Sequence, residues 1–184
     1  MERETVMSQE SVKDALMKTI GAIQAKPGVA SLVFRSETAL VEDLRCEAKI
    51  RQFPTITVDE PTELGGGNSA PNPLELVMAA LGTCQEIMYG AYASVMGVKL
   101  TSVKVDVKGY IDLRGALGMD ESLPSGYTHV EYVTTIQSPA PEEALAKLVM
   151  TVESHCPVLD SLQRPVQVFG QVHVNGNRLE VATV

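Results

Sequence analysis

The sequence predicts an α+β fold in one domain, and three features carry that expectation. Alternating polar and apolar runs stand in two groups, one before Pro61 and one between Leu100 and Gln137. A long apolar segment with a well-marked helix start, from Asn72 to about Met96, separates them. A second helical pattern follows Pro139-Ala-Pro141. At 184 residues and 45% hydrophobic composition the chain has enough apolar side chain for a single core.

Ser8 or Ser11 caps a first helix whose Val12, Ala15, Leu16, Thr19, Ile20 and Ile23 recur at helical spacing, ending before Pro27-Gly28. Three short runs follow that read as strands: Ser31–Phe34, Leu44–Ile50 and Thr55–Val58. In the second of these, Leu44, Cys46, Ala48 and Ile50 share one face, and Arg45, Glu47, Lys49 and Arg51 share the other. Cys46 is thus expected in apolar packing. Glu63–Pro71 is loop, and its three glycines lack the Lys-Ser/Thr pair that a phosphate loop requires.

Asn72-Pro73-Leu74-Glu75 combines an N-cap, proline at the first helical position and a glutamate returning to the cap. The helix it opens should stop at Gly97, and its apolar circumference marks it as central and buried. Strands are expected at Leu100–Asp112 and Tyr127–Gln137, joined by a long hairpin loop over Arg114–Gly126. A helix from Glu142 to about Glu153 carries Ala144, Leu145, Leu148, Val149 and Val152 on one face. Pro157 then starts a short helix through Leu162, with Cys156 as its N-cap or close to it. A strand over Val166–Val174 turns at Asn175–Asn177 into another over Arg178–Val184.

Composition excludes several classes of function. The formal net charge of −8, with no basic run, argues against nucleic acid as a partner. The N-terminus has no apolar core of a signal peptide, and nowhere do 18 consecutive apolar residues occur, so no membrane span and a cytoplasmic location are expected. Absence of tryptophan argues against aromatic stacking platforms. Three scattered histidines without metal-ligand spacing lead to the expectation of no metal and no cofactor.

The three cysteines do not make a disulfide framework, so each is judged by its surroundings. Cys156 before Pro157 stands where free N–H groups and the helix dipole favour a thiolate; its inert reading is a small N-cap residue. Cys84 lies at helical spacing with Val77, Ala80, Leu81, Ile87, Met88 and Ala91, where burial alone would leave a structural thiol. Its reactivity requires a cation, yet no Lys or Arg occurs between Pro73 and Met96. Arg45 and Arg51 are the candidates; their inert reading is a solvated strand face alternating with Glu47 and Lys49.

At Asn72-Pro-Leu-Glu-Leu-Val-Met-Ala-Ala-Leu-Gly-Thr-Cys84 and Ser154-His-Cys-Pro-Val-Leu159 the chain resembles the OsmC/Ohr family, in a less characterised OsmC-like branch. The resemblance runs from about Leu44 to the C-terminus, which makes residues 1–39 an N-terminal extension with its helix and residues 40–184 the family domain. It implies antiparallel sheets wrapped around long central helices in an intertwined homodimer. It also implies that Cys84 is the thiol that attacks an organic hydroperoxide, that Cys156 resolves the sulfenic acid to a disulfide, and that an external thiol reductant reopens it. The arginine that the family places near the first sulfur corresponds best to Arg45, with Arg51 second.

One departure bears on activity. The hydroperoxide reductases of the family carry a glutamate directly after Asn-Pro, and here that position is Leu74. Glu75 lies nine residues from Cys84, about 180° around an ideal helix, and reads better as the partner of Asn72 in the cap. Two functions therefore stand side by side: a thiol-dependent reductase of organic hydroperoxides, and a protein of the same fold with little peroxidase activity that binds a hydrophobic small molecule at the dimer interface.

Overall fold

The computed structural model describes residues 8–180. Helix α1 (Gln9–Ala25) is capped by the Ser8 hydroxyl, which accepts from Ser11 N–H. It lies against helix α2 (Pro73–Met96), and the Gln9 side chain donates to the Val98 carbonyl at 2.9 Å. A short 3-10 turn over Pro27–Ala30 follows.

The first sheet is antiparallel, in the order β1 (Glu37–Glu42), β2 (Arg45–Lys49), β3 (Ile56–Val58). Cys46 sits opposite Leu40 and Val58, on the apolar face expected for it. The expected strand at Ser31–Phe34 is not formed: that segment is irregular, with Val33 75% and Phe34 91% exposed, and the strand begins at Glu37 instead. An apolar run reports a tendency to be covered, and among the described residues this one stays exposed. Pairing with β2 thus starts within the segment read as an extension.

Asp59, just after β3, fixes the glycine loop. Its buried carboxylate accepts from the Ser69 hydroxyl and from the backbone N–H groups of Ser69, Gly67 and Glu60. These donors, the Ser69 hydroxyl foremost, hold its pKa at about 2, below the usual 3.8. Glycine is required in the loop because a Cβ on Gly66 would lie 2.0 Å from the Glu60 carbonyl oxygen. A lowered folded-state pKa contributes stability that is complete above the unfolded value and lost as pH falls through the folded one. The gap in melting temperature between wild type and Asp59→Asn should therefore narrow from about pH 4 to about pH 2. A gap independent of pH across that window would remove Asp59 as the cause.

Helix α2 begins as its sequence dictates. Asn72 Oδ1 accepts from Glu75 N–H and the Glu75 carboxylate accepts from Asn72 N–H, each at 2.8 Å. It stops at Gly97 in the left-handed conformation, φ 70°. One side packs on the antiparallel pair β4 (Ser102–Ile111) and β5 (Tyr127–Gln137), where a Cβ on Gly82 would meet Val107 at 3.3 Å. The burial expected all round α2 is found only on that side and toward α1 and α4; Ala79, Ala80, Thr83, Ile87 and Gly90 are exposed.

Helix α4 (Glu142–His155) packs across α2 through the fully buried Leu148 and Val152, joining Tyr89, Ala93 and Val98 in the main core. The hairpin loop after β4 is not wholly irregular, because the Asp112 carboxylate caps a one-turn helix, α3 (Leu113–Ala116). Helix α5 (Pro157–Gln163) follows α4 directly. Among the described residues the two C-terminal strands expected form as shorter ones, β6 (Val172–Val174) and β7 (Asn177–Leu179), around the Asn175-Gly176 turn. Val168 and Phe169 are each 87% exposed, and residues 181–184 lie outside the described residues.

Candidate functional site

The fold brings together two cysteines 72 residues apart. Cys84, in the fourth turn of α2, is partly buried; Cys156, at the junction of α4 and α5, is 1% exposed. The Cys156 Sγ donates to the Cys84 Sγ at 3.5 Å. Both belong to a small apolar cluster built on Leu81, Cys156 and Leu159, with Met88, Val107, Val130, Tyr132 and Val158 packed around it. A disulfide needs about 2.05 Å between sulfurs, so an approach of about 1.5 Å closes the bond.

Cys156 ends α4 and starts α5. Its N–H donates to the Val152 carbonyl, and its carbonyl accepts from Asp160 N–H. Pro157 sets the first residue of α5 without wasting a donor. The N–H groups of Leu159 and Val158 bear on the sulfur and lower its pKa, as expected at a helix start. Burial outweighs them, however, and the neighbouring Cys84 sulfur adds to the rise, so the Cys156 pKa is raised rather than lowered. Cys156 therefore keeps its proton, and its thiol faces the Cys84 sulfur.

The two arginines are placed elsewhere in the chain. Arg45 forms an exposed ion pair with Glu42 at 2.7 Å and borders a cavity of about 360 Å³ that Asp59, Ser69 and the glycine loop also line. Arg51 has a left-handed backbone, φ 52°, and its guanidinium lies 4.6 Å from the centre of the Phe53 ring. Both belong to the β1–β2–β3 sheet or its flank, which pairs with no other strand among the described residues. The main contacts of β2, which carries Arg45, are with β1 and β3. Leu74 presents its carbonyl to the Tyr127 hydroxyl at 2.6 Å, and Glu75 is committed to the cap.

Sequence reasoning missed the polar residues behind the cysteines. Tyr132 and Thr134 project from the inner face of β5, between Val130 and Ile136. The Tyr132 hydroxyl donates to Glu153, and its pKa is pushed up to about 12 by burial first and by that carboxylate second. The Thr134 hydroxyl donates to Gln85 Oε1 at 3.4 Å. Gln85 is fully buried, and its Nε2 lacks a hydrogen-bond partner among the described residues, an arrangement that costs about 1–3 kcal/mol. Gln85 opposes the rise in the Tyr132 pKa. The available signal was polar residues on the inward face of an alternating strand.

A second concavity, of about 500 Å³, is predominantly apolar and lies between the first sheet and the start of α2. Leu40, Leu44, Cys46, Val58, Pro73 and Leu76 line it, with Glu60 at its edge. Among the described residues no cluster of His, Cys, Asp and Glu has metal-site geometry, and no helix is long and apolar enough to cross a membrane.

Residues 66–169 match the family model described as OsmC-like protein. Among solved structures, an OsmC-like protein from Mycoplasma pneumoniae superposes with a TM-score of 0.62 at 20% identity, covering 72% of this chain and 89% of that one. An organic hydroperoxide resistance protein OsmC from Legionella pneumophila gives 0.55 at 21% identity, covering 72% and 90%. A putative organic hydroperoxide resistance protein from Vibrio cholerae, with captopril bound in one of its active sites, gives 0.52 at 19% identity, covering 81% and 96%. No curated protein matches. These identities establish a shared α+β fold and leave the chemistry to be argued from the site.

Proposed function

Because this chain belongs to the OsmC-like protein family, we propose that it reduces organic hydroperoxides at the expense of an external thiol, using Cys84 and Cys156. The observation that carries the reading is the 3.5 Å contact between the two sulfurs. The Cys84 thiolate attacks the terminal peroxide oxygen; the O–O bond breaks, and the alkoxide takes a proton to leave as an alcohol. Cys84 is then a sulfenic acid. Cys156 attacks that sulfur, a disulfide forms, and the sulfenic oxygen leaves as water with the Cys156 proton. Two equivalents of an external thiol restore both cysteines and leave as their own disulfide.

The active unit in this reading is a homodimer. Among the described residues Leu32, Val33, Phe34, Val168 and Phe169 are exposed on two irregular segments, and α2 exposes Ile87 in its middle turn. A second copy covers both, and the β1–β2–β3 sheet of that copy carries Arg45 toward Cys84. A guanidinium there stabilises the thiolate and holds a peroxide oxygen. Leu74 leaves that arginine without the carboxylate that orients it in family reductases.

Apolar surroundings favour an alkyl or aryl hydroperoxide, since each buried CH₂ contributes about 0.8 kcal/mol. With dithiothreitol as reductant, kcat/KM for cumene hydroperoxide should exceed that for hydrogen peroxide by at least about 30-fold. Equal values would refute the organic preference. The apolar cavity against α2 supports a second reading, a binding protein for a hydrophobic small molecule, and absence of any thiol-dependent consumption would leave that one standing.

A further inference from the structure

Two hydrogen bonds run from neighbouring positions on β5, one to each cysteine-bearing helix. Tyr132 donates to Glu153, which lies three residues before Cys156 in the last turn of α4. Thr134 donates to Gln85, which adjoins Cys84 in α2. The Tyr132 ring also packs against the cluster that contains Cys156. Strand β5 thus grips α4 beside one sulfur and α2 beside the other. Hydrogen bonds this deep are uncommon in an otherwise aliphatic layer, and a tyrosine, a threonine and a glutamine are poorer core formers than the residues around them.

We propose that β5 is a template for the dithiol, with Tyr132 and Glu153 as positioning residues for Cys156 and Thr134 and Gln85 as positioning residues for Cys84. The inference rests on the reading of the two cysteines as a redox pair. In this arrangement the network raises the effective concentration of one sulfur at the other. Closure of the bond, with two thiols losing two electrons and two protons to an external disulfide, is thereby favoured.

The test is the equilibrium of the intact protein with graded mixtures of reduced and oxidised dithiothreitol, read as the fraction of Cys84–Cys156 disulfide by alkylation and mass spectrometry. Tyr132→Phe keeps the ring and removes the donor, and Glu153→Ala removes the acceptor. Each should lower the equilibrium constant for disulfide formation by about tenfold. Glu153→Gln, which keeps an acceptor oxygen, should stay within about twofold of wild type. A role confined to fold stability would lower the melting temperatures of these variants and leave the dithiol equilibrium where it is. Wild-type equilibria in both Tyr132→Phe and Glu153→Ala would overturn the template alone, as would an equal fall in Glu153→Gln and Glu153→Ala. Failure of the wild type to form the disulfide under any mixture would overturn the redox pair and the template together. Should Tyr132→Phe not fold, the two Glu153 variants decide.

Discussion

Cys84→Ser is expected to reduce hydroperoxide turnover to background, a loss of at least about 10³-fold, while Cys156→Ser retains a single oxidation event per chain. The asymmetry follows from the order of steps. A serine hydroxyl at position 84 forms no sulfenic acid, so nothing begins. A serine at 156 leaves the first step intact, and the enzyme halts as the sulfenic acid until an external thiol reaches it directly. Cys156→Ser should therefore consume one equivalent of cumene hydroperoxide in a burst and then turn over slowly, in proportion to dithiothreitol concentration. Stopped-flow measurement of peroxide consumption separates the two variants. Equal bursts in both would place the attacking sulfur elsewhere.

Ile87→Glu is expected to dissociate the proposed dimer and to remove turnover with it. Ile87 is 69% exposed in the middle of α2, and Ala80, Thr83 and Gly90 lie at helical spacing around it. Small residues there let a second helix approach closely, and a two-fold contact places both copies of residue 87 in one interface. A glutamate in each copy would bury charges of like sign with no cation on the helix to pair them, since α2 carries no Lys or Arg. The dissociation constant should rise by at least about 100-fold, about 2.7 kcal/mol. Sedimentation velocity at micromolar concentration reads the change directly, and far-UV circular dichroism should show the helices retained. A variant that remains dimeric with wild-type turnover would remove α2 from the interface.

What the sequence made legible was whatever local chemistry decides. The start of α2 follows from Asn72, Pro73 and Glu75, and its end from Gly97, because caps and left-handed termini are set by adjacent residues. β5 emerged at Tyr127–Gln137 as expected, because its alternation is uninterrupted. Ser31–Phe34 and the long strand over Val166–Val174 misled for the opposite reason. Their apolar side chains express a demand for cover without saying what supplies it, and the backbone over residues 31–34 and 166–171 stays irregular.

The site divides along the same line. The family resemblance carried by the two cysteine motifs implied the pair Cys84 and Cys156, whereas their 3.5 Å contact depends on how α4 and α5 lie across α2. The sign of the Cys156 shift was also beyond the sequence, since a helix start and burial oppose each other and only packing decides the winner. Tyr132, Thr134, Gln85 and Glu153 come from three elements and no motif joins them.

The measurement closest to the proposed chemistry is the reaction of fully reduced wild-type protein with one equivalent of cumene hydroperoxide, followed by alkylation, proteolysis and mass mapping. Formation of a Cys84–Cys156 disulfide with one equivalent of alcohol released, and Cys46 still alkylated, is the expected result. All three cysteines remaining alkylated, or oxidation falling on Cys46 instead, would contradict the assignment of Cys84 and Cys156 as the redox pair.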